Sequence, residues 1–446
     1  MNLLRNALVL TGLLSGSLIA ATPTDQIAFR TAFLDGQLPW ESVSTAARSE
    51  GAIDFYYWGG DDRLNVWLER TVAPDLEKLG VTLRPHRITA TSDVVDLVLT
   101  EARAGKGLGQ GSVDAIWVNG ENFYTLAQQD LLFGSFAQKL PNAAWFDWDE
   151  NSAGGSLNLY DFGYPTQGRE MPWSGEQYVC AVNRSLMAEA ETPHTFAELE
   201  RWLEANPGTF TYVKPPHYLG NTFVQEALYE MSPEGAQGFQ QPLDSFTPES
   251  LARLLAPGMA YLKRIAPLLA QARNGIPRYP ENESALMQLF QNSQTAMECQ
   301  FGLYHVATKR ASGQMPDNTE EIIFPRHNMI KNKNYLVIPS NAPHPAAALV
   351  FTNYMSSVAA QKSKLAAVGY PLGLDLWMLS AADQAAMVEA MPPHFGVTQA
   401  ALDSHIAPDT HASLVRVIES LWQSVVLQGS ETPIATLVEQ AMSQSK

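Results

Sequence analysis

The chain has 446 residues, 46% of them hydrophobic, and a formal charge of −17. Its length exceeds what one hydrophobic core usually covers, so two domains are expected. A field of that sign repels nucleic-acid phosphates and anionic membrane faces, and no basic cluster interleaved with aromatics offsets it, so nucleic-acid binding is disfavoured.

The first residues read as an export signal. Arg5 precedes an apolar run from Ala7 to Leu14 and on to Ile19, and small residues follow, placing cleavage near Ala20-Ala21. The run is too short to span a bilayer, and no Cys follows it as a lipid anchor would need. The alternative, a retained buried helix, sits poorly with the polar stretch Thr22–Asp25. A periplasmic protein is expected. Of its two cysteines, Cys180 and Cys299, both lie in apolar, strand-like runs. Two are too few for a structural zinc site, and a disulfide and two buried thiols stay equally open.

Helical spacing of Trp40, Val43 and Ala47 predicts a helix over Trp40–Glu50, stopped by Gly51. The β-branched and aromatic run Ile53–Trp58 predicts a buried strand. It ends in Gly59-Gly60-Asp61-Asp62, and a helix follows with Leu64, Trp67, Leu68 and Val72 on one face and Asp61 or Asp62 as cap. The unit repeats as strand Val81–Ile88, turn Thr89–Asp93 and helix Val94–Ala104. A third strand, Val113–Val118, leads through Asn119-Gly120-Glu121-Asn122 into a helix around Phe123–Gln129. Such alternation predicts a doubly wound, largely parallel sheet, with ligands beyond the carboxyl ends of its strands.

Leu131–Gly168 has no clear period and reads as a surface excursion. Met171–Asn183, M-P-W-S-G-E-Q-Y-V-C-A-V-N, then reads as a strand-like crossing into a second set of units. That set holds the helix Phe196–Ala205, the strand Thr209–Val213, helices over Thr222–Met231, Leu251–Gln271 and Glu283–Gln291, and the strand Thr295–Phe301. Glu321–Phe324 and Tyr335–Ile338 look extended, Ala346–Ser356 is a strong helix, and Leu414–Val426 is apolar at helical spacing. No repeat of 20 to 50 residues is present.

G-x-S-x-G, H-E-x-x-H and phosphate-loop patterns are absent, and the nine His are scattered. Gly105, Gly107, Gly109 and Gly111 follow a helix and precede a strand, the wrong order for a dinucleotide turn. The strand ends carry the candidates. Trp58 and Asp61 place an aromatic and a carboxylate at a predicted ligand edge, where core packing and helix capping are the plainer roles. Asn119, Glu121 and Asn122 supply polar groups at the third strand end, although a turn before a helix also explains Asn and Gly. Tyr218 and Asn221 precede a helix whose free N–H groups could receive a ligand oxygen, and Asn221 could equally be its N-cap.

The stretch N-Y-L-V-I-P-S-N-A-P-H-P-A-A-A-L-V-F-T-N-Y-M-S-S-V-A-A-Q at 334–361 resembles a segment of the extracellular solute-binding proteins of ABC importers. W-G-G-D at 58–61, W-V-N-G-E-N-F at 117–123 and P-W-S-G-E-Q at 172–177 resemble the YnjB-like branch of that family. The resemblance runs in order through nearly the whole mature chain. It implies a two-lobe α/β periplasmic-binding-protein fold of type II, each lobe a mainly parallel sheet flanked by helices, joined by hinge strands. After the signal at 1–21, residues 50–172 with 330–375 would form the first lobe, and 176–325 with 376–446 the second. Pro325–Tyr335 would cross back beside Met171–Asn183.

Carried over by position, Trp58, Asp61, Asn119, Glu121 and Asn122 would line the first lobe's edge, Trp173 and Gln177 the hinge, and Tyr218 and Asn221 the second lobe. Tyr370, in a turn after the 346–367 region, would return to the cleft, with a surface β-turn as its plainer reading. Relatives that bind ferric iron use adjacent tyrosines in the second lobe, whereas Tyr56-Tyr57 lies in the first. Thiamine and polyamine binders combine aromatic walls with carboxylates, which Trp58, Asp61, Glu121 and Trp173 would match. The resulting expectation is a monomeric importer component that captures a small polar, cationic ligand for permease subunits, with no metal, cofactor or catalysis. The rival is an exported hydrolase or transferase using Glu121 with Asp61 as an acid–base pair.

Overall fold

A computed structural model describes residues 23–272, 274–324 and 330–444. The expected signal lies outside the described residues. Strands β1 (Ala52–Trp58), β2 (Thr82–Ile88) and β3 (Ala115–Val118) run parallel in the order β2-β1-β3. Phe55 and Tyr57 point into one core and stack on each other, while β1 ends on the glycine turn that precedes the helix Asp62–Trp67. The excursion after β3 carries short helical turns, the helix Ala153–Leu159, and a hairpin of β4 (Tyr160–Asp161) and β5 (Tyr164–Pro165).

The longest strand is β6 (Glu170–Asn183), followed by β7 (Met297–Phe301), β8 (Thr319–Ile322) and β9 (Lys331–Val337). From Glu170 to Gln177, β6 pairs antiparallel with β9, which also pairs with β3. Beyond Tyr178 it pairs antiparallel with β7 and β8. One strand therefore serves two sheets. Met171 and Trp173 belong to a core with Ile53, Leu64 and Leu349, whereas Tyr178 and Val182 belong to a core with Phe223, Leu255 and Leu262. Only the few residues between them separate two hydrophobic interiors, and β9 is the second link beside them.

Several expectations change at the level of pairing. The second lobe's ladder is antiparallel, because its strands meet on β6 rather than follow one another through crossovers. Thr209–Val213 joins no ladder: its carbonyls accept from Ala296 N at 2.7 Å and Ala270 N at 2.8 Å, on two separate segments. It remains buried, which is why its apolar run looked like a strand. Leu379 and Met387 pack in the first core, beyond the expected boundary at 375, and the second core resumes only at Ala407. Period-2 and period-3.6 patterns report burial, not which core receives it.

Cys180 and Cys299 face each other across β6 and β7 and are bonded. The bond closes a loop with a sequence separation of 119, so in the chain-entropy account it restricts the unfolded chain strongly. A Cys180→Ala/Cys299→Ala double variant should lose about 2–5 kcal/mol of stability. A denaturant midpoint equal to that of the parent protein would refute this.

Candidate functional site

The cleft is built from strand ends. Trp58 closes β1, and its indole lies over Gly60, where a Cβ would meet the ring at 2.2 Å. Only glycine lets the ring fold back on the turn. Asp61 then caps the helix Asp62–Trp67 by accepting from Arg63 N at 2.8 Å, and its other oxygen receives the Arg63 guanidinium at 3.0 Å. On β3, Ile116 and Val118 face the core, so alternation turns Trp117 the other way. Trp117 is the hub of an aromatic wall: its ring meets Trp58 at 6.4 Å, Trp173 at 4.9 Å and Tyr370 at 6.3 Å, each edge-on.

The facing wall comes from the second lobe. His217 caps the helix Tyr218–Met231, accepting from Leu219 N, and its ring stacks on Tyr218 at 4.5 Å. Burial pushes His217 down to about 4, so the imidazole is neutral. Tyr218 is 44% exposed and leans on Phe301 at the end of β7. Glu283 opens the helix Glu283–Gln291, whose cap is Asn282. Its carboxyl is held high by burial, with Lys309 and His305 opposing and Glu298 and Asp61 adding.

Between the walls lies Glu176, the single residue of β6 that is not buried. It accepts from Leu303 N at 3.3 Å. Burial pushes it up to about 8, against the pull of Lys364 and His305. The Tyr370 hydroxyl is raised well above its ordinary range, chiefly by burial and then by Asp61, Glu176, Glu283 and Tyr218. Those four groups and Tyr370 therefore converge from the first lobe, the crossing strand and the second lobe.

Next to them, Glu121 and Asn122, with Ser92 and Asp96, line a cavity of about 510 Å³ opposite Lys214, His217, Arg416 and Glu419. Burial raises Glu121, opposed by Arg416. Glu419 is pushed up to about 7 by burial first and Glu121 second. Asn221 holds Glu419 at 2.7 Å and sits inside the first helical turn, so it is not the N-cap. Asn119 reaches across to Asn334 on β9 at 3.2 Å.

The two hinge candidates lie inside the fold. Trp173 and Gln177 are both fully buried; Gln177 donates to the Leu402 carbonyl at 3.1 Å. The ladder skips Trp173, since Pro172 pairs with Tyr335 and Ser174 with Asn334. That bulge shifts alternation by one residue, so counting by twos from Trp173 selects Gln177 where the fold presents Glu176. Trp117, Glu283 and Phe301 were also missed. Alternation around Ile116 and Val118 could have found Trp117, whereas no local pattern marks Glu283. Tyr57 is buried against Asn65 and Tyr56 stacks on His86, so neither joins the cleft. Asp61 is held by its helix cap and by the Arg63 guanidinium, whereas Glu121 lines the neighbouring cavity with Arg416.

The raised groups set a direction for stability. A carboxyl whose folded value exceeds its unfolded one keeps its proton in the folded state after the unfolded chain has released it, so stability falls as pH rises toward the folded value. Glu50, Asp409 and Glu419 near 7 and Glu176 near 8 act together. The raised His305, His344 and His394 act in the same sense. His217 and His411 oppose only below their unfolded value near 6.5, and Lys333 and Lys364, lowered by burial, oppose above it but are outnumbered. Melting of the ligand-free protein should therefore move to lower temperature from pH 6.5 to 8; a flat or rising profile contradicts the assignment.

The bacterial extracellular solute-binding protein family matches residues 75–375. Protein YnjB of Escherichia coli (strain K12) is 31% identical over 386 residues, covering 86% of this chain and 92% of that protein. Among solved structures, MalX of Streptococcus pneumoniae in complex with maltopentaose superposes with a TM-score of 0.61 at 14% identity, over 88% of this chain and 100% of that one. Iron-bound HitA of Pseudomonas aeruginosa gives 0.53 at 12% identity, over 88% and 99%. The spermidine/putrescine transporter protein PotD of Streptococcus pneumoniae gives 0.51 at 13%, over 89% and 99%. These likenesses establish the two-lobe fold, and the family consists of transport proteins rather than enzymes. The chain belongs to the bacterial extracellular solute-binding proteins, the ABC-transporter components that bind a small molecule outside the membrane.

Proposed function

We propose that the cleft captures a small organic cation, of thiamine-like or polyamine-like character, and that the protein delivers it as a periplasmic monomer to its permease. The supporting observation is the convergence of Asp61, Glu176 and Glu283 among Trp58, Trp117, Tyr218 and Tyr370. Asp61 has Arg63 as partner, but no lysine or arginine hydrogen-bonds Glu176 or Glu283 among the described residues. Aromatic faces attract a desolvated cation, and a charge-assisted hydrogen bond to a carboxylate adds direction.

In the empty cleft Glu176 holds a proton up to about pH 8. A bound cation favours the ionised form, so binding releases protons and affinity rises with pH toward that value. Contacts made to both lobes at once favour the closed arrangement.

Titration calorimetry of the protein with thiamine, putrescine and spermidine, beside maltose and phosphate, tests this. At least one cation should bind, more tightly at pH 8 than at pH 6. Glu176→Gln and Glu283→Gln should each weaken it tenfold or more, about 1.4 kcal/mol. Binding confined to the sugar or the anion overturns the reading, as would unchanged cation affinity in both variants.

A further inference from the structure

The hairpin of β4 and β5 reaches across to the second lobe. Asp161 pairs with Tyr164, which leaves Phe162 and Gly163 as a two-residue loop. Both have positive φ, +46° and +68°. A loop of that shape normally takes Asn, Asp or Gly, so a phenylalanine there is held by its surroundings rather than by its own preference. Its ring lies on Gly120, where a Cβ would meet it at 2.8 Å. Asp161, 2% exposed, accepts from Gly120 N at 2.5 Å. Gly120 has φ 54° and ψ −121°, and Glu121 follows as the first residue of the helix Glu121–Gln128. The hairpin thereby fixes the turn that presents Glu121 and Asn122.

The same loop also touches the second lobe. The Phe162 carbonyl accepts from Ala412 N at 2.9 Å. His411 packs on Gly163, where a Cβ would stand 3.2 Å from its ring, and it meets Tyr124 at 6.2 Å and Tyr164 at 6.5 Å, edge-on. This segment is anchored on the second lobe. Thr410 N donates to the Gln225 side chain at 3.0 Å, His411 N to the Phe239 carbonyl at 2.9 Å, and Leu243 N to the Ser413 hydroxyl at 2.9 Å. The helix Val415–Trp422 starts directly afterwards. It carries Arg416 and Glu419 to the cavity of about 510 Å³ that Glu121 and Asn122 line from the first lobe. Both walls of that cavity are thus tied to one loop.

We propose that Phe162-Gly163 is a clasp between the lobes, and that Asp161, Phe162 and His411 are positioning residues that set Glu121 and Asn122 against Arg416 and Glu419. Two hinge strands alone leave the lobes free to rotate about them, and a third contact outside their ladder restricts that rotation. The clasp is non-covalent, so it favours whichever arrangement of the lobes preserves it, and its loss shifts the population toward more open ones. With the clasp made, the polar groups of the two walls meet a bound solute at one fixed spacing. The effect on affinity rests on this cavity being part of the solute cleft; the clasp itself does not.

The experiment uses the whole mature protein. Phe162→Asn suits a left-handed loop better than phenylalanine, so it removes the ring and keeps the turn. His411→Ala removes the partner from the other lobe. In each variant, hydrogen exchange at Ala412 N should quicken by about tenfold or more. Small-angle scattering of the ligand-free protein should show a larger radius of gyration, and Phe162→Tyr should behave as the parent. A cation that binds the parent, among thiamine, putrescine and spermidine, should dissociate several-fold faster from both variants. Unchanged exchange at Ala412 with an unchanged scattering profile in both variants overturns the clasp. Quickened exchange with dissociation at the parent rate overturns the positioning role. If none of the three cations binds the parent, the ligand class proposed above fails, and exchange and scattering still decide the clasp.

Discussion

The antiparallel pairing of β6 with β9 is the constraint on which the other features depend. Two strands carry the chain between hydrophobic interiors that share few residues, and backbone hydrogen bonds from Glu170 to Gln177 hold them in register. The one interruption, the bulge at Trp173, is pinned from the side. Gln361 and Lys364 of the helix Val358–Val368 both donate to the Trp173 carbonyl, and Lys364 lies 4.9 Å over its ring. Gly373 presses on the same backbone so closely that a Cβ would stand 2.3 Å from it. A carbonyl freed from the ladder is thereby satisfied inside the protein. The bulge turns Glu176 outward, and with it the cleft acquires its central carboxyl.

Charge in this molecule works at two ranges. The overall −17 is spread over a solvated surface, where salt screens it and solubility is sufficient explanation. The cleft acids are different, since protein surrounds them. Burial dominates the shifts of Glu176, Glu283 and Glu121, so the empty cleft is less negative than a count of its acids implies. The ionised form returns when a positive partner enters, which ties occupancy of the cleft to proton release rather than to a standing field.

Much of the first lobe could be read in the residues. Strand Ile53–Trp58 differs from β1 by one residue, the glycine turn and the Asp61 cap are in place, and Glu283–Gln291 is reproduced with the same ends. These features are local: a period, a cap and a stop decide them. What escaped is non-local. The parity of β6 depends on a bulge whose cause, the donors Gln361 and Lys364, lies almost 200 residues away. Glu283 reaches the cleft only because its helix packs under β7, and nothing within its own turn distinguishes it from a solvated first-turn acid that suits a helix N-terminus anyway. Thr209–Val213 has strand composition but finds its backbone partners on two separate segments. The disulfide was undecidable for the same reason, since only the register of β6 against β7 brings Cys180 opposite Cys299.

The unpaired acids are distributed with respect to the crossing strands in a way that packing alone does not require. Several buried ions are paired, Lys333 with Asp375, His305 with Glu298 and His344 with Asp114, whereas Lys364 donates to backbone carbonyls and Glu226 accepts from Ile330 N. Among the acids without a salt bridge, Glu170 and Glu176 on β6, Glu283 across the cleft, and Asp161 and Asp409 near β9 lie on or beside the two strands that join the lobes. A buried acid without a partner destabilises whichever arrangement buries it, and positive charge supplied from outside reverses that sign. When the acids that face each other belong to different lobes, the penalty falls on the closed arrangement. Closure then becomes conditional on cations, and the same physics that makes the empty closed state costly makes the occupied one selective.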